Sequence, residues 1–320
     1  MTCTKCRSTE TRSYGKHRNG LRRFRCLKCG KTFTEPHTRP LGPMQIEFER
    51  AVLPLEILLE GGSIRTAERI TGVPRNTIMS LLLVAGANAE KLLGRAIRNV
   101  PVTDVQCDEI WGFVFKKQGS KRGDEERFAY IGDAWTFVAI ERYTKLVLAF
   151  ELGKRTVTSA MRFTEKLATA TDPNQRFQLT TDGLNAYPYA IGNLLMDRVD
   201  YAQLIKIYAQ ETPESIRRYS PPRLAETSAT PIYGDPDEKK ICTSHVERQN
   251  LTMRMCMRRL TRLTNGFSKK WENLKAALAL HFAYYNFCRR HRTLKTTPAV
   301  AAGLTDRPWT LRELLLEAAA

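Results

Sequence analysis

Several things are scarce in this sequence, and each shortage narrows the field. No run of about 18 apolar residues occurs, so no membrane-spanning helix and no membrane partner are expected. The opening residues MTCTKCRSTE hold no apolar stretch of the kind a secretory leader needs, so a reducing, cytoplasmic setting is expected. No internal repeat or low-complexity tract stands out, so a repeat architecture is not expected. Acidic residues are outnumbered: 33 Asp and Glu face 51 Lys and Arg, for a net charge of +18 and a pI near 9.7. That excess predicts attraction to nucleic acid or another anionic surface and says nothing about fold. What is present is ordinary globular material, 42% hydrophobic and 26% charged over 320 residues, suited to two or three domains.

Half of the eight cysteines stand in two pairs, Cys3-x-x-Cys6 and Cys26-x-x-Cys29. Each pair sets two thiolates on a tight turn, and two such knuckles about twenty residues apart match a four-cysteine zinc ribbon. Lys16, Arg18, Arg22, Arg23 and Arg25 lie between them, so this ribbon (residues 1–36) is expected to be basic and to touch DNA, with Arg22 and Arg23 as contacts. The other four cysteines, Cys107, Cys242, Cys256 and Cys288, lack metal spacing. Residues 36–44 carry three prolines and a glycine and read as a linker. Apolar residues then recur at helical spacing from Gln45 to Leu59, and Gly61-Gly62 ends that helix. Ser63 suits an N-cap, Gly72 a break and Pro74 the next helix start. Ala67, Ile70, Val73 and Ile78 have the spacing of a helix-turn-helix core, within a DNA-binding region at 44–100. Arg75, Asn76 and Thr77 would face bases or phosphates at the start of the second helix.

The pattern then changes period. Strands are expected at 102–115, 129–141, 146–152, 177–182 and 201–208, with helices at 158–170 and 187–196. Residues 210–243 are Pro-rich, polar and without period. A helix is expected over 245–263, another from Ser268 to about Phe287, then loops and a short terminal helix (the tail, 305–320). Three antiparallel strands, a helix, a strand, a helix and a strand is the order of an α/β, RNase H-like mixed sheet with flanking helices. That catalytic domain would span 101–304.

In such a sheet the middle of the first strand and the end of the fourth lie side by side, which brings Asp108 next to Asp182. On the 245–263 helix, Val246, Met253, Met257 and Leu260 form an apolar stripe, and Glu247 leads Arg254, Arg258 and Arg262 on another face. Glu247 could then join the two aspartates. Three carboxylates together repel unless cations neutralise them; two Mg²⁺ or Mn²⁺ ions would do so and would activate phosphodiester chemistry. Asp104, Glu109, Asp133 and Glu141 are the rival carboxylates, Asp104 foremost because alternation puts it on the Asp108 face. His245 is a candidate for orienting metal or water.

CDEIWGFV (107–114), TTDGLNAY (180–187), SHVERQNLTMRMCMRRLTRLTNGFSK (244–269) and YYNFCRRHRTLKTTPAVAAG (284–303) resemble the DDE transposases of short bacterial insertion sequences, the insertion-sequence-one type. The resemblance covers nearly the whole chain. It implies an RNase H-like domain with Asp108, Asp182 and Glu247 as triad, two Mg²⁺ or Mn²⁺ ions, a structural Zn²⁺, and double-stranded DNA (element ends and target) as partner. Arg254, Arg258, Arg262 and Lys269 of the FSK motif would hold phosphates. A homo-oligomer on DNA is expected, because two ends must be held together. One departure is that ribbon, helix-turn-helix and catalytic parts run in one chain, whereas the best-known members join them through a frameshift. The rival expectations are a DNA-binding regulator with an inactive catalytic domain and an RNase H-like nuclease.

Overall fold

The computed structural model describes residues 1–17, 21–36, 40–208, 224–262 and 264–320, in two units, Met1–Arg39 and Pro40–Ala319. In the first unit, β1 (Thr11–Lys16), β2 (Arg22–Cys26) and β3 (Thr32–Thr34) form an antiparallel sheet in that order. Its apolar content is one cross-strand pair, Phe24 opposite Phe33, with ring centroids 6.1 Å apart. The Arg23 and Arg25 guanidinium groups lie over the Tyr14 ring. A unit of this size buries too little to stand on hydrophobic burial alone and needs a further tie.

The second unit opens with α1 (Phe48–Leu59), α2 (Ile64–Thr71) and α3 (Arg75–Ala96). Ser63 caps α2 by accepting the Thr66 N–H at 3.0 Å, and Gly72 ends it at φ +65°, a left-handed conformation suited to glycine. Ala67, Val73 and Ile78 form a small buried cluster, but Ile70, expected with them, is 62% exposed. The inward line of α2 runs Ile64, Ala67, Thr71, with the Thr71 hydroxyl donating to the Ala67 carbonyl at 2.7 Å, and Ile70 falls one position off it. The helix α3 is long and apolar enough to cross a membrane by composition. Here its apolar side, from Ile78 to Leu93, is buried within the unit.

The six-stranded mixed sheet comes next. Its strands are β4 (Asp104–Val114), β5 (Gly132–Glu141), β6 (Val147–Gly153), β7 (Phe177–Thr181), β8 (Val199–Tyr208) and β9 (Leu224–Tyr233), in the order β6-β5-β4-β7-β8-β9. β4 pairs antiparallel with β5 and parallel with β7, so it is the central strand where the two senses meet, an arrangement consistent with an RNase H-like fold. Connecting helices are α4 (Val157–Ala170) and α5 (Ala186–Leu194). The region expected to lack period, 210–243, contains β9 and a short 3-10 turn at Glu238–Lys240, and its first part, 210–223, lies outside the described residues. β9 is an edge strand, mostly solvent-facing on both sides and carrying Pro231, so no alternation marks it.

The helix expected over 245–263 is shorter: α6 runs Ser244–Cys256. Met257 is extended, and the carbonyls at the helix end are taken by the Thr261 hydroxyl on Arg254 (3.0 Å) and the Met257 N–H on Met253. Val246, Met253, Met257 and Leu260 are all buried, but Leu260 reaches the core from a turn. There it sits over Gly112, where a Cβ would come within 2.9 Å of its side chain. α7 (Trp271–Phe287), α8 (Pro298–Ala301) and α9 (Leu311–Ala319) complete the unit. One continuous core includes residues of α1, α3, the sheet, α7 and α9, so the helix in the expected tail is part of it. At the outer edge of β6, the Asn286 side chain accepts the Val147 N–H at 3.0 Å and donates to the Val147 carbonyl at 2.9 Å.

α3 packs tightly on α7 at Gly86. A Cβ built at Gly86 would lie 2.4 Å from the Ala276 carbonyl oxygen. Mid-helix Gly→Ala ordinarily stabilises by roughly 1 kcal/mol. Gly86→Ala is expected to do the reverse, lowering stability by about 1–3 kcal/mol through overpacking. Urea unfolding reads the sign, and a raised midpoint would show that the two helices are not pressed together at this point.

Candidate functional site

The site grows from the register of β4. Cys107 pairs with Thr181, so the next residues, Asp108 and Asp182, meet where β7 stops. Oxygen atoms of Asp108, Glu109 and Asp182 all lie within 4.8 Å of one another. Glu109, a rival on sequence grounds, therefore belongs to the cluster. Alternation alone assigns it to the face opposite Asp108, but β7 ends at Thr181, and Asp182 just beyond that end comes within reach of both Asp108 and Glu109.

Each carboxylate is held by a named neighbour. Asp108 accepts its neighbour Glu109's N–H and the Asn250 amide, both at 2.8 Å. Asp182 accepts the Leu184 N–H at 3.1 Å. The Arg155 guanidinium bridges Asp182 and Glu109 at 3.3 Å each and lies 4.9 Å over the Trp135 ring. Glu109 Oε1 and Asn250 Oδ1 are buried with no hydrogen-bond partner. Orphaned oxygens in a set of hard carboxylate donors fit a divalent cation of the Mg²⁺ or Mn²⁺ kind.

Burial, and then the charge of Asp182, push Asp108 up to about 7 and Glu109 up to about 8. Burial also raises Asp182, against the Leu184 N–H and Arg155. The Tyr187 hydroxyl is buried against Glu109, with its pKa driven well above the ordinary range by burial.

Glu247 stands in the first turn of α6, outside the three-carboxylate cluster, where it takes Lys206 and the Thr243 hydroxyl. It is close enough for its charge to raise both Asp108 and Asp182. Asn250 lies one turn further along and touches Asp108 directly; the i, i+3 spacing in HVERQN was the signal for it. The Gln106 side chain accepts the His245 N–H at 2.9 Å, tying the start of α6 to β4.

The expected arginine row does not form a helical face. Arg254 is half-buried and donates to the Leu260 carbonyl at 3.1 Å, while Arg258 and Arg262 lie beyond the helix end, exposed, as is Lys269. Arg75 and Asn76 are exposed and Thr77 half-exposed at the start of α3. His245 faces Lys145 at 3.0 Å, and burial lowers its pKa. The rival carboxylates have structural partners: Asp104 pairs with Arg142 at 2.8 Å, Glu141 caps the turn at Tyr143, and Asp133 accepts the Gln118 N–H.

In the first unit the thiols of Cys3, Cys6, Cys26 and Cys29 gather within 4.8 Å of one another. Cys3 lies 3.6 Å from Cys29, and Cys6 lies 3.5 Å from Cys26. Four sulfurs at about 2.3 Å from one tetrahedral ion would stand about 3.8 Å apart, whereas a disulfide needs about 2.05 Å. The backbone N–H groups of Cys6 and Lys5 lower Cys3 to about 6, favouring a thiolate. The donor set fits Zn²⁺. Arg22 is exposed and Arg23 half-exposed on β2.

No protein-family model and no curated protein matches the chain. Among solved structures it is similar to a Mos1 transposase paired-end complex with left transposon end, at 14% identity over 53% of this chain and 62% of that one, TM-score 0.20. In that comparison the chain spans less than two thirds of its neighbour's length. It is similar also to the Mos1 strand transfer complex (12% identity, 77% of each chain, TM-score 0.20). A Mos1 mariner paired-end complex with Mn shows 12% identity over 77% of this chain and 78% of that one, TM-score 0.22. Likeness at such scores assigns no role to any residue of this chain; its own geometry must do that.

Two outcomes are expected. With divalent ions chelated, stability is full below about pH 4, where these carboxyls are protonated in folded and unfolded chains alike. The unfolded chain releases those protons first, so stability falls as pH rises through the folded values of about 7 and 8. Asp108→Asn flattens the fall in thermal midpoint between pH 5 and 8, and a midpoint that climbs over that window contradicts the assignment. Elemental analysis should find one zinc per chain, and Cys26→Ser should lose it.

Proposed function

We propose that this chain is a DNA transposase of the insertion-sequence-one type, with Asp108, Asp182 and Glu247 as its catalytic carboxylates. The observation that carries the reading is the convergence of Asp108, Glu109 and Asp182 within 4.8 Å at the end of β7, in a chain with net charge +18. Asp108 and Asp182 would hold the metal, and Glu247, one turn before Asn250 on α6, would complete the set on release from Lys206. Two Mg²⁺ or Mn²⁺ ions bound there would neutralise the carboxylates, activate the attacking oxygen and stabilise the leaving one.

The chain's own groups position the strand. Asn250 fixes the Asp108 carboxylate, Arg155 and the Leu184 N–H fix Asp182, and Gln106 fixes the height of α6. Arg258, Arg262 and Lys269 contact phosphates, while Arg254 holds the turn that carries them. The zinc-bound ribbon, through Arg22 and Arg23, and the α2–α3 hairpin, as a helix-turn-helix with Arg75, Asn76 and Thr77, bind the terminal inverted repeats. In the first step water displaces one strand at the element's end, breaking a P–O bond and freeing a 3′-hydroxyl. In the second that hydroxyl attacks a target phosphodiester, and the target strand's own 3′-oxygen leaves. No covalent protein–DNA intermediate is required. Two ends must be joined in concert, so the active form on DNA is at least a dimer.

Asp182→Asn is expected to abolish strand transfer on an end-containing duplex and leave gel-shift binding intact. Undiminished joining by that variant sinks the triad. A regulator with an inactive domain would bind the ends without metal-dependent nicking. A nuclease would cut structured nucleic acid without preferring ends.

A further inference from the structure

We propose that the rings of Trp111, Trp135, Phe113 and Phe267, beside the acidic cluster, form a stacking platform for an unpaired base of the DNA strand whose phosphodiester lies at that cluster. This rests on the reading of Asp108, Glu109 and Asp182 as a phosphodiester site and adds a nucleobase subsite to it.

The platform arises from strand alternation. Glu109, Trp111 and Phe113 share one face of β4, and their β5 partners are Phe137, Trp135 and Asp133. At Phe137 the face is closed: Phe163 of α4 and Tyr187 of α5 pack on it at 5.7 and 6.1 Å. At the next pair on this face, Trp111 opposite Trp135, the rings are half-buried. Trp135 packs in part against the main core, but Trp111, Phe113 and Phe267 belong to none of the buried clusters among the described residues. They nevertheless form a ladder, Trp111 to Phe113 at 5.8 Å and Phe113 to Phe267 at 4.8 Å, each tilted by 36°.

Two features select a nucleotide. The first is charge: Arg155 lies over Trp135 and Lys117 over Trp111, at 4.9 and 5.9 Å, so cations alternate with rings as phosphates alternate with bases. The second is access. β7 pairs with β4 only as far as Cys107, and the next partner on that side is Ser268 at Val114. Among the described residues, the β4 edge from Asp108 to Phe113 has no strand partner there. About 17 Å of strand separates those two residues, which runs from the carboxylates to the ring ladder. A base within a duplex has both faces covered by its neighbours, so only an unstacked base can lie on these rings. The strand at the reacting phosphodiester is therefore held locally open.

The test uses the full chain in chelator with three fluorescent probes: an oligothymidylate, a duplex with a short single-stranded extension, and the same duplex blunt. Trp111→Ala is expected to weaken the first two about tenfold, the loss of one stacked base, and to change blunt-duplex binding less than twofold. In the unaltered protein, oligothymidylate should quench tryptophan fluorescence, and Trp111→Phe should reduce that quench, leaving the share of Trp135, while retaining affinity. This measurement stands even where the alanine variant fails to fold. Equal losses on blunt and extended duplexes, or no quench in the unaltered protein, overturn the platform. Mn²⁺-dependent nicking distinguishes the two readings. Nicking that requires Asp182 without any quench removes the platform alone. A Trp111-dependent quench without nicking removes the catalytic reading and keeps the base subsite.

Discussion

Like charges gathered in a part-buried pocket set the terms for this molecule. Two unit charges 4.8 Å apart repel by about 3 kcal/mol at an effective dielectric constant near 20, and three carboxylates meet within that distance. A fold that gathers them must supply compensation from elsewhere in the chain. Arg155 comes from the residues just before α4, Asn250 from α6, and the Leu184 N–H from the turn after β7. Protonation supplies the rest, which is why burial holds Asp108 and Glu109 so far above the carboxylate range. Hard carboxylate donors gathered in this way fit a divalent cation, which would neutralise them in place of protons.

The same strand that carries the charges also places the helix above them. Gln106 and Asp108 share a face of β4; one hooks the start of α6 and the other its second turn. Two polar contacts one strand-repeat apart fix both the height and the rotation of the helix. Val246 and Met253 supply the burial, which has no direction of its own. Hydrophobic packing holds α6 down, and hydrogen bonding decides which way Glu247 looks.

Much of this is legible in the sequence because buried parallel and antiparallel strands leave strong periodic marks. Strands β4 to β8 and the pairing that sets Asp108 beside Asp182 emerge from period and order alone. The features that escape are governed by local competition. α6 stops at Cys256, where the Thr261 hydroxyl takes the Arg254 carbonyl and the Arg254 guanidinium in turn holds the Leu260 carbonyl of the following turn, so the arginines that periodicity stacks on one face separate. β9 escapes because an edge strand wet on both sides has no alternation to read. Glu109 escapes because alternation describes strand interiors, and the cluster sits where the neighbouring strand ends. Ile70 falls one position off in a helix of eight residues, too short for spacing to select between adjacent lines.

The Asn286 amide at the outer edge of β6 bears on how the molecule behaves in company. A carboxamide offers a donor and an acceptor at the spacing of a backbone unit, and here both are engaged by Val147. To a neighbouring chain in search of a sheet to extend, that margin already looks occupied at this rung. Open sheet margins invite strand-by-strand accretion wherever chains meet at high local concentration. One side chain, contributed by a helix far away in sequence, closes this rung of β6 to such pairing.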